Sequence, residues 1–271
     1  MTLTRRQALV AVAATSGAAL MPRALVAQTS GLLVGAEVCA LTPEVTEGPY
    51  YVDPGLVRAD ITEGRPGVPL WLRMQVVDAA CAPMEGARVD VWHCDAQGVY
   101  SGFGGGEAGQ ESAAGETFLR GTLFADAAGV VEFATIYPGW YRGRTTHIHF
   151  KVFLDERTVL TGQVFFPDAL SEFLYENAPD YAREGVRDTL NADDGIAAQA
   201  TRASHAAVTE GDAAYLAQLV VGVDPAAASQ AGAGGPGGDR PSGPPPGGRP
   251  GEDTPRDAAR RVQALLPGNT E

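Results

Sequence analysis

A succession of short alternating segments, separated by turn residues, is the feature that most restricts what this chain can fold into. The segments are rich in β-branched, aliphatic and aromatic residues, and Pro, Gly or Asp residues lie between them. This pattern is typical of short β-strands in an antiparallel sandwich or barrel. The predicted strands are 70–77, 88–93, 118–124, 130–136, 146–154 and 158–166, and short helices or turns are predicted at 168–177 and 181–186.

Two histidines lie two residues apart in the predicted strand 146–154. Because side chains alternate between the faces of a strand, His147 and His149 point to the same side. The other face carries Ile148 and Phe150 and is predicted to be core. Two imidazoles on one strand face can share a metal ion. The alternative is a half-buried strand whose polar face contacts water.

The residues around the histidine pair restrict the kind of metal site. No Asp or Glu lies within three residues of either histidine, so a two-histidine, one-carboxylate iron site with His-x-Asp/Glu spacing is not predicted. Tyrosine is the remaining hard oxygen donor. Tyr141 lies just upstream, after the turn Pro138-Gly139, and Arg144 follows it. An ionised phenolate is a good ligand for a trivalent ion such as Fe(III).

The first 27 residues have the features of a secretory signal. A twin arginine, Arg5-Arg6, precedes an apolar run at 8–20 and a small-residue segment that ends at Ala27. We therefore predict export by the twin-arginine route, to the periplasm or the cell exterior. The alternative is an N-terminal helix of the fold. The apolar run is too short to span a bilayer and no later stretch is long and apolar enough, so no membrane span is predicted.

Net charge argues against two classes of partner. The whole chain has a formal net charge of −13, and the leader contains three arginines and no acidic residue, so its removal leaves −16. A strongly acidic protein is repelled by nucleic acids and by anionic membranes. We therefore expect neither of them as a partner.

Composition divides the mature chain into a domain and a tail. Residues 31–224 have the composition of one globular domain, long enough to bury a substantial core. Residues 225–271 form the predicted tail, and nine Gly and six Pro between 231 and 251 predict disorder. A short helix is predicted at 254–266, because apolar residues recur there on one helical face.

The three cysteines, Cys39, Cys81 and Cys94, form no C-x-x-C pair, which argues against a zinc ribbon. Export permits one disulfide and would leave one cysteine free. Three pairings are open, and the alternative is that all three thiols are free and buried.

Several sequence blocks, taken in order, are similar to those of one known family. They are 41–51, 86–101, 135–141, 144–150 and 163–167. Each block is modest alone, but their order between Leu41 and Ala169 is specific. On these blocks the chain resembles the intradiol ring-cleavage dioxygenases, which include catechol 1,2-dioxygenase and protocatechuate 3,4-dioxygenase. The resemblance, which is to the exported branch, implies an all-β fold: an immunoglobulin-like antiparallel β-sandwich core with short helices and long loops.

The resemblance also implies a metal and its ligands. The family holds a non-haem Fe(III) ion with two tyrosines and two histidines, and these correspond to Tyr100, Tyr141, His147 and His149. Without the resemblance, the two tyrosines would be interpreted as amphipathic aromatics at strand ends. Tyr137, in the same segment as Tyr141, is expected to pack in the core.

Substrate contacts are implied in the same way. Arg144 matches the active-site arginine of the family and Gln163 matches a second polar residue; the alternatives are a surface ion pair and a strand hydrogen bond. Gly48 and Pro49 match a segment that lines the substrate pocket in relatives, although a Gly-Pro turn needs no function. The pair Thr145-Thr146 departs from a more apolar family pattern, which affects the polarity expected of the pocket.

The activity implied is cleavage of a catechol-type diol by O2 between its two hydroxyl carbons, to a cis,cis-muconate-type diacid. In such a reaction the diol displaces Tyr141, whose phenolate accepts a substrate proton, while Arg144 stabilises negative charge. The expected partners are an aromatic diol and O2, and a homo-oligomer stays open. Two other classes also stay open: a secreted, metal-free β-sandwich binding module, and a zinc hydrolase that uses the histidine pair.

Overall fold

The structure is a computed structural model, and it describes residues 40–53, 55–104 and 112–230. Most of the regular structure in these residues is β-strand. The strands are β1 (Pro69–Val77), β2 (Arg88–Trp92), β3 (Arg120–Phe124), β4 (Val130–Ile136), β5 (His147–Leu154), β6 (Arg157–Phe165), β7 (Ala207–Glu210) and β8 (Tyr215–Gly222). The helices are α1 (Asp168–Asn177) and α2 (Gly195–Gln199), with short 3-10 helices at Pro179–Tyr181 and Arg202–Ser204.

The strands form two four-stranded sheets. The order is β4-β1-β8-β7 in the first sheet and β3-β2-β5-β6 in the second. One apolar core contains side chains from both sheets, such as Leu72 and Phe133 from the first and Val91, Ile148 and Phe150 from the second. The predicted all-β sandwich is therefore confirmed, and burial of this shared core is its main source of stability.

One pairing departs from the predicted antiparallel pattern. β1 pairs antiparallel with β4 but parallel with β8, from Leu70 opposite Tyr215 to Val77 opposite Gly222. Strands β7 and β8 are also absent from the predicted set. Alternation predicts which residues face a core, whereas the pairing of strands that are distant in the chain depends on tertiary contacts.

Helix α1 occupies the residues predicted for it, and its buried residues are Ser171 and Leu174. At 181–186 the chain forms the tail of a 3-10 turn and then a bend, so the turn is the form taken there. Gly185 has a φ of +87°, a left-handed conformation that a right-handed helix does not contain. The phenol of Tyr181 donates to the main-chain oxygen of Tyr137 at 2.6 Å and ties this turn to the sheets.

Ordered contacts continue past the predicted domain boundary at Asp224. The main-chain N–H of Ser229 donates to the oxygen of Thr158 at 2.9 Å, and that of Gln230 donates to the Glu44 carboxylate at 3.1 Å. The predicted leader at 1–27 lies outside the described residues, as do residues 231–271 of the predicted tail (225–271), with the predicted helix. Within the part of the chain that is described, no helix is long and apolar enough to cross a membrane.

Cys81 takes part in a disulfide, and Cys94 is a free, buried thiol. The Sγ atom of Cys94 donates to the main-chain oxygen of Gly139 at 3.5 Å. Burial raises the pKa of this thiol above its usual value, so it is not a reactive thiolate. Disulfide pairings that include Cys94 are excluded, and Cys39 lies outside the described residues.

Candidate metal centre

Strand β5, which lies between β2 and β6 in the second sheet, carries the histidine pair. His147 and His149 are 2% and 1% exposed, and Ile148 and Phe150 on the opposite face are completely buried. The alternation is as predicted. The face that carries the histidines is buried as well, so the alternative of a half-buried strand whose polar face contacts water is wrong. Trp92 covers His149, with parallel rings whose centroids are 4.9 Å apart.

Four donor atoms converge at the end of this face. The Nε2 atom of His147 is 3.1 Å from Nε2 of His149 and 3.1 Å from the phenol oxygen of Tyr141. The phenol oxygen of Tyr100 is 3.4 Å from the same nitrogen. Two ligand atoms that each lie about 2 Å from one ion are about 3 Å apart. The structure thus brings the four predicted ligands together in one cluster.

A tight turn carries Tyr141 into the cluster. The turn includes Gly139, where a Cβ atom would lie 2.4 Å from the main-chain oxygen of Asp95, so only glycine fits. Tyr137, on the other side of the turn, is completely buried, and its hydroxyl is 2.7 Å from Oγ of Ser171. Tyr137 is therefore a packing residue, as predicted.

Tyr100 lies in the loop that follows β2 and is fixed by its neighbours. The ring of Tyr50 stacks on it, with centroids 4.3 Å apart. Arg120 is 3% exposed, and its guanidinium donates to the main-chain oxygen of Ser101 at 2.6 Å and to that of Tyr50 at 2.7 Å. Arg120 therefore ties together the two segments that enclose Tyr100.

The hydrogen bonds of the two histidines suit a cation. Nδ1 of His147 lies 2.7 Å from the main-chain oxygen of Thr145. Because a carbonyl oxygen only accepts, Nδ1 carries the hydrogen and Nε2 presents a lone pair to the cluster. Nδ1 of His149 is buried and has no hydrogen-bond partner among the described residues. When the ring hydrogen of His149 is on Nδ1, the lone pairs of the two Nε2 atoms face each other across 3.1 Å. A shared metal ion stabilises such an arrangement.

Burial determines the charge of the four donors. It raises the pKa of Tyr100 and Tyr141 above the usual phenol value, and it lowers the pKa of His147 and His149 below the usual imidazole value. All four groups are therefore neutral at pH 7 without a cation. A bound cation reverses this balance for the phenols, because it favours the phenolate.

The donor set also restricts the metal. Within 40–53, 55–104 and 112–230, no group of three or more His, Cys, Asp or Glu side chains is placed to hold a metal ion. A metal in the cluster therefore needs phenol oxygens as well as imidazole nitrogens. Zinc sites in proteins use Cys, His and carboxylate ligands, whereas hard phenolate oxygens suit a trivalent ion. The cluster fits Fe(III) better than the zinc of a hydrolase.

Arg144 lies at the edge of the cluster. One terminal nitrogen of its guanidinium is 3.5 Å from Nε2 of His147, and the other donates to Oε1 of Gln163 at 2.5 Å. Its Nε atom donates to the Asp194 carboxylate at 2.8 Å. Burial alone would lower the pKa of the Arg144 guanidinium. Its electrostatic interactions with Tyr141 and Asp194 outweigh burial and raise the pKa above its usual value. A fixed cation here can stabilise negative charge on a bound ligand.

The remaining predicted substrate contacts lie at different positions relative to the donor cluster. Gln163 is completely buried, and its amide donates to the main-chain oxygen of Thr46 at 3.0 Å, so it anchors Arg144 to the segment before Gly48. Gly48 has a φ of +72°, and a Cβ there would lie 3.4 Å from Cε1 of His149. Gly48 thus lies against a donor ring, while Pro49 is exposed.

The hydroxyls of Thr145 and Thr146 are both engaged. Thr145 donates to Oδ1 of Asn191 at 2.9 Å, and the Thr146 oxygen is 2.7 Å from the phenol oxygen of Tyr175. Both threonines are 1% exposed. The two threonines, where the family has a more apolar pair, therefore add hydrogen bonds within the protein. They add no polar group to the pocket.

Asp194 and Arg120 were not among the predicted site residues. An Asp-Gly pair before the apolar residues of α2 is a helix N-cap signal that identifies Asp194. Its partner Arg144 is 50 residues away in the chain, and no local pattern indicates that contact. By residue type, Arg120 is typical of a surface cation, and only tertiary contacts assign it to the site.

Comparison with known proteins identifies the family. A family model described as "Dioxygenase" matches residues 46–198. The solved structure of an intradiol ring-cleavage dioxygenase from Tetranychus urticae superposes with a TM-score of 0.65 at 31% sequence identity, and the match covers 71% of this chain and 98% of that one. This chain belongs to the intradiol ring-cleavage dioxygenase family.

Curated relatives agree with this assignment. Catechol 1,2-dioxygenase of Pseudomonas sp. (strain EST1001) is 29% identical over 172 residues, which cover 54% of this chain and 55% of that protein. Hydroxyquinol 1,2-dioxygenase of Rhodococcus opacus is 27% identical over 145 residues, which cover 46% of each chain. This chain therefore spans about half the length of these curated relatives. The resemblance stated from the sequence blocks is confirmed at the level of the family.

Proposed function

We propose that this protein is a non-haem Fe(III) dioxygenase that cleaves a catechol-type diol with O2 between the two hydroxyl carbons, to a cis,cis-muconate-type diacid. The observation that carries the proposal is the convergence of two phenol oxygens and a second imidazole nitrogen within 3.4 Å of Nε2 of His147. Family membership supports the reaction class. The names of two relatives, which refer to catechol and hydroxyquinol, support an aromatic diol as substrate.

The four donor residues have different parts in this proposal. Tyr100, Tyr141, His147 and His149 would hold the ion, which supplies Lewis-acid and redox activation of the diol when bound. The hydrogen bond to Thr145 keeps His147 in the tautomer that can bind a metal. Tyr100 is 4% exposed, whereas Tyr141 is partly exposed. Tyr141 is therefore the donor that an incoming diol reaches first.

Proton transfer is the second task of Tyr141. A catechol must lose protons when its oxygens bind a metal, because metal ligands are deprotonated. The phenolate oxygen of Tyr141 is the base that would accept one of these protons. Arg144, held beside His147, would stabilise the negative charge that the diol then carries.

Aromatic rings surround the cluster. Tyr50 lies edge-on to Tyr141 with centroids 6.5 Å apart, and edge-on to Phe103 with centroids 5.2 Å apart. Tyr51 and Trp92 extend this set of rings, with centroids 4.8 Å apart. A wall of this kind favours a flat aromatic ligand and limits the access of water.

We also propose that the protein is exported by the twin-arginine route to the periplasm or the cell exterior. The leader at 1–27, with Arg5-Arg6 at its start, supports this. The disulfide at Cys81 supports it as well, because disulfides persist in oxidising compartments. Recovery of the chain only from the cytoplasm, with its leader uncleaved, would contradict export.

Metal loading tests the proposed centre. Phenolate bound to Fe(III) absorbs visible light by charge transfer, so iron-loaded protein is expected to be red-brown and to hold about one iron per chain. Removal of the iron with a chelator should abolish the colour and the turnover together. A metal-free binding module or a zinc hydrolase is colourless. A colourless protein without iron, after expression with ample iron, contradicts the proposal.

A further inference from the structure

Asp194 connects the candidate site to helix α2, and the proposed reaction does not yet use it. Its side chain is 2% exposed. Oδ2 accepts from Nε of Arg144 at 2.8 Å and from the main-chain N–H of Thr145 at 2.9 Å. Oδ1 accepts from the main-chain N–H groups of Ile196 at 2.8 Å and Ala197 at 3.2 Å. One buried carboxylate therefore joins two segments that are distant in the chain.

The two oxygens of Asp194 serve different purposes. Oδ1 caps the first turn of α2, which is an ordinary role for an aspartate. Oδ2 faces the segment that leads into β5. The main-chain oxygen of Thr145, whose N–H group Asp194 binds, accepts the Nδ1 hydrogen of His147 at 2.7 Å. The carboxylate thus holds the residue whose carbonyl group orients a donor histidine, and partners of this kind determine how ligands point.

Arg144 is held between two acceptors. Asp194 binds its Nε atom, and Oε1 of Gln163 binds one terminal nitrogen, so the other terminal nitrogen lies 3.5 Å from Nε2 of His147. A free arginine side chain has many rotamers, and ordering it during the reaction costs entropy. A guanidinium that is already oriented avoids this cost.

We propose that Asp194 is a positioning residue that holds the Arg144 guanidinium beside the donor cluster. The reaction then depends on the position of the first turn of α2, which carries Asp194 at its N-cap. The inference rests on the proposed function, because Arg144 has its part only if a negatively charged diol binds beside it. Asp194 acts through Arg144 and through the backbone of Thr145.

A double-mutant cycle tests this role. Asp194→Asn keeps the size of the side chain and an oxygen that can cap α2, but it removes the charge that faces Arg144. Loss of a partner that orients a site group typically costs about 10- to 100-fold in activity, so kcat should fall by that factor with a smaller change in KM. Arg144→Met should cause at least this loss. The double variant should lose far less activity than the product of the two single losses, because much of the effect of Asp194 passes through Arg144.

Asp188→Asn is the matched control. The Asp188 carboxylate accepts the main-chain N–H of Gly143 at 3.0 Å, in the turn that precedes Arg144, and a hydroxyl hydrogen of Thr189. Its neutralisation should leave kcat unchanged. Additive losses in the cycle, or an equal loss in this control, overturn the role of Asp194, while diol cleavage by the unmodified protein still supports the proposed function.

The orientation of Arg144 gives a test that does not depend on turnover. In a crystal structure of the Asp194→Asn variant, the guanidinium should have left Gln163 and His147. If it keeps its place, the inference is wrong whether or not the unmodified protein cleaves diols. Where Asp194→Asn does not fold, Asp194→Glu retains the charge on a longer side chain that displaces Arg144. Full kcat in that variant, with Arg144 displaced, overturns the inference.

Discussion

Replacement of Tyr141 by phenylalanine is expected to lower the turnover of a catechol-type diol by about 10²- to 10⁴-fold, the usual contribution of a general base. The change removes the phenol oxygen that lies 3.1 Å from Nε2 of His147. It therefore removes a donor to the ion and the base that accepts a substrate proton. The phenyl ring still fills its place, so stability should fall by about 1 kcal/mol or less. Turnover, iron content and visible spectrum are measured together.

Tyr137→Phe is the matched control, because Tyr137 lies in the same segment on the other side of the turn. Its hydroxyl contacts Oγ of Ser171 at 2.7 Å. Turnover and the visible band should stay close to those of the unmodified protein. If Tyr137→Phe is the variant that shifts the band and stops turnover, the second phenolate has been assigned to the wrong residue. If neither variant does so, the ligand set is wrong.

Neutralisation of Glu47 is expected to lower the free energy of unfolding by about 3–5 kcal/mol, because breaking a buried ion pair leaves an uncompensated charge. Glu47 is 5% exposed and forms an ion pair with Lys151, which is 8% exposed. Lys151 follows the histidine pair on the same face of β5, and its ammonium lies 4.0 Å from the ring centroid of Tyr51. Denaturant unfolding of Glu47→Gln measures the loss.

Glu132→Gln provides the comparison for this loss. Glu132 on β4 pairs with Arg73 on β1, and the two side chains are 35% and 37% exposed. Solvent screens such a pair, so its loss should cost about 1 kcal/mol or less. If Glu47→Gln and Glu132→Gln lower the free energy of unfolding equally, the view that the buried charge of Lys151 needs Glu47 as its counter-charge is contradicted.

Alternation of apolar residues was sufficient to predict β1 to β6, because each of these strands has a face in the shared core. Strand β7 has half-buried and exposed residues only, so its pattern is weak. Strand β8 alternates, but its parallel pairing with β1 depends on a contact between segments that are far apart in the chain. Local sequence carries no signal for the direction of such a pairing.

The candidate site was predictable in part. The spacing of His147 and His149 predicted that they share a face, and strand geometry alone explains that success. Tyr100 and Tyr141 were assigned through the family resemblance, because residue type alone suggests packing aromatics. The contact of Arg144 with Asp194 could not be predicted, since it requires the position of α2 against the turn before β5.

Product analysis under ¹⁸O2 tests the central claim most directly, which is that this chain uses O2 to open a diol between its hydroxyl carbons. Iron-loaded protein is supplied with a panel of catechol, hydroxyquinol and protocatechuate, and O2 uptake and product mass are recorded. The account predicts uptake of O2 and a cis,cis-muconate-type diacid that carries both labelled oxygen atoms. A product in which the two hydroxyl carbons remain bonded to each other, or no uptake with any diol of the panel, would contradict it.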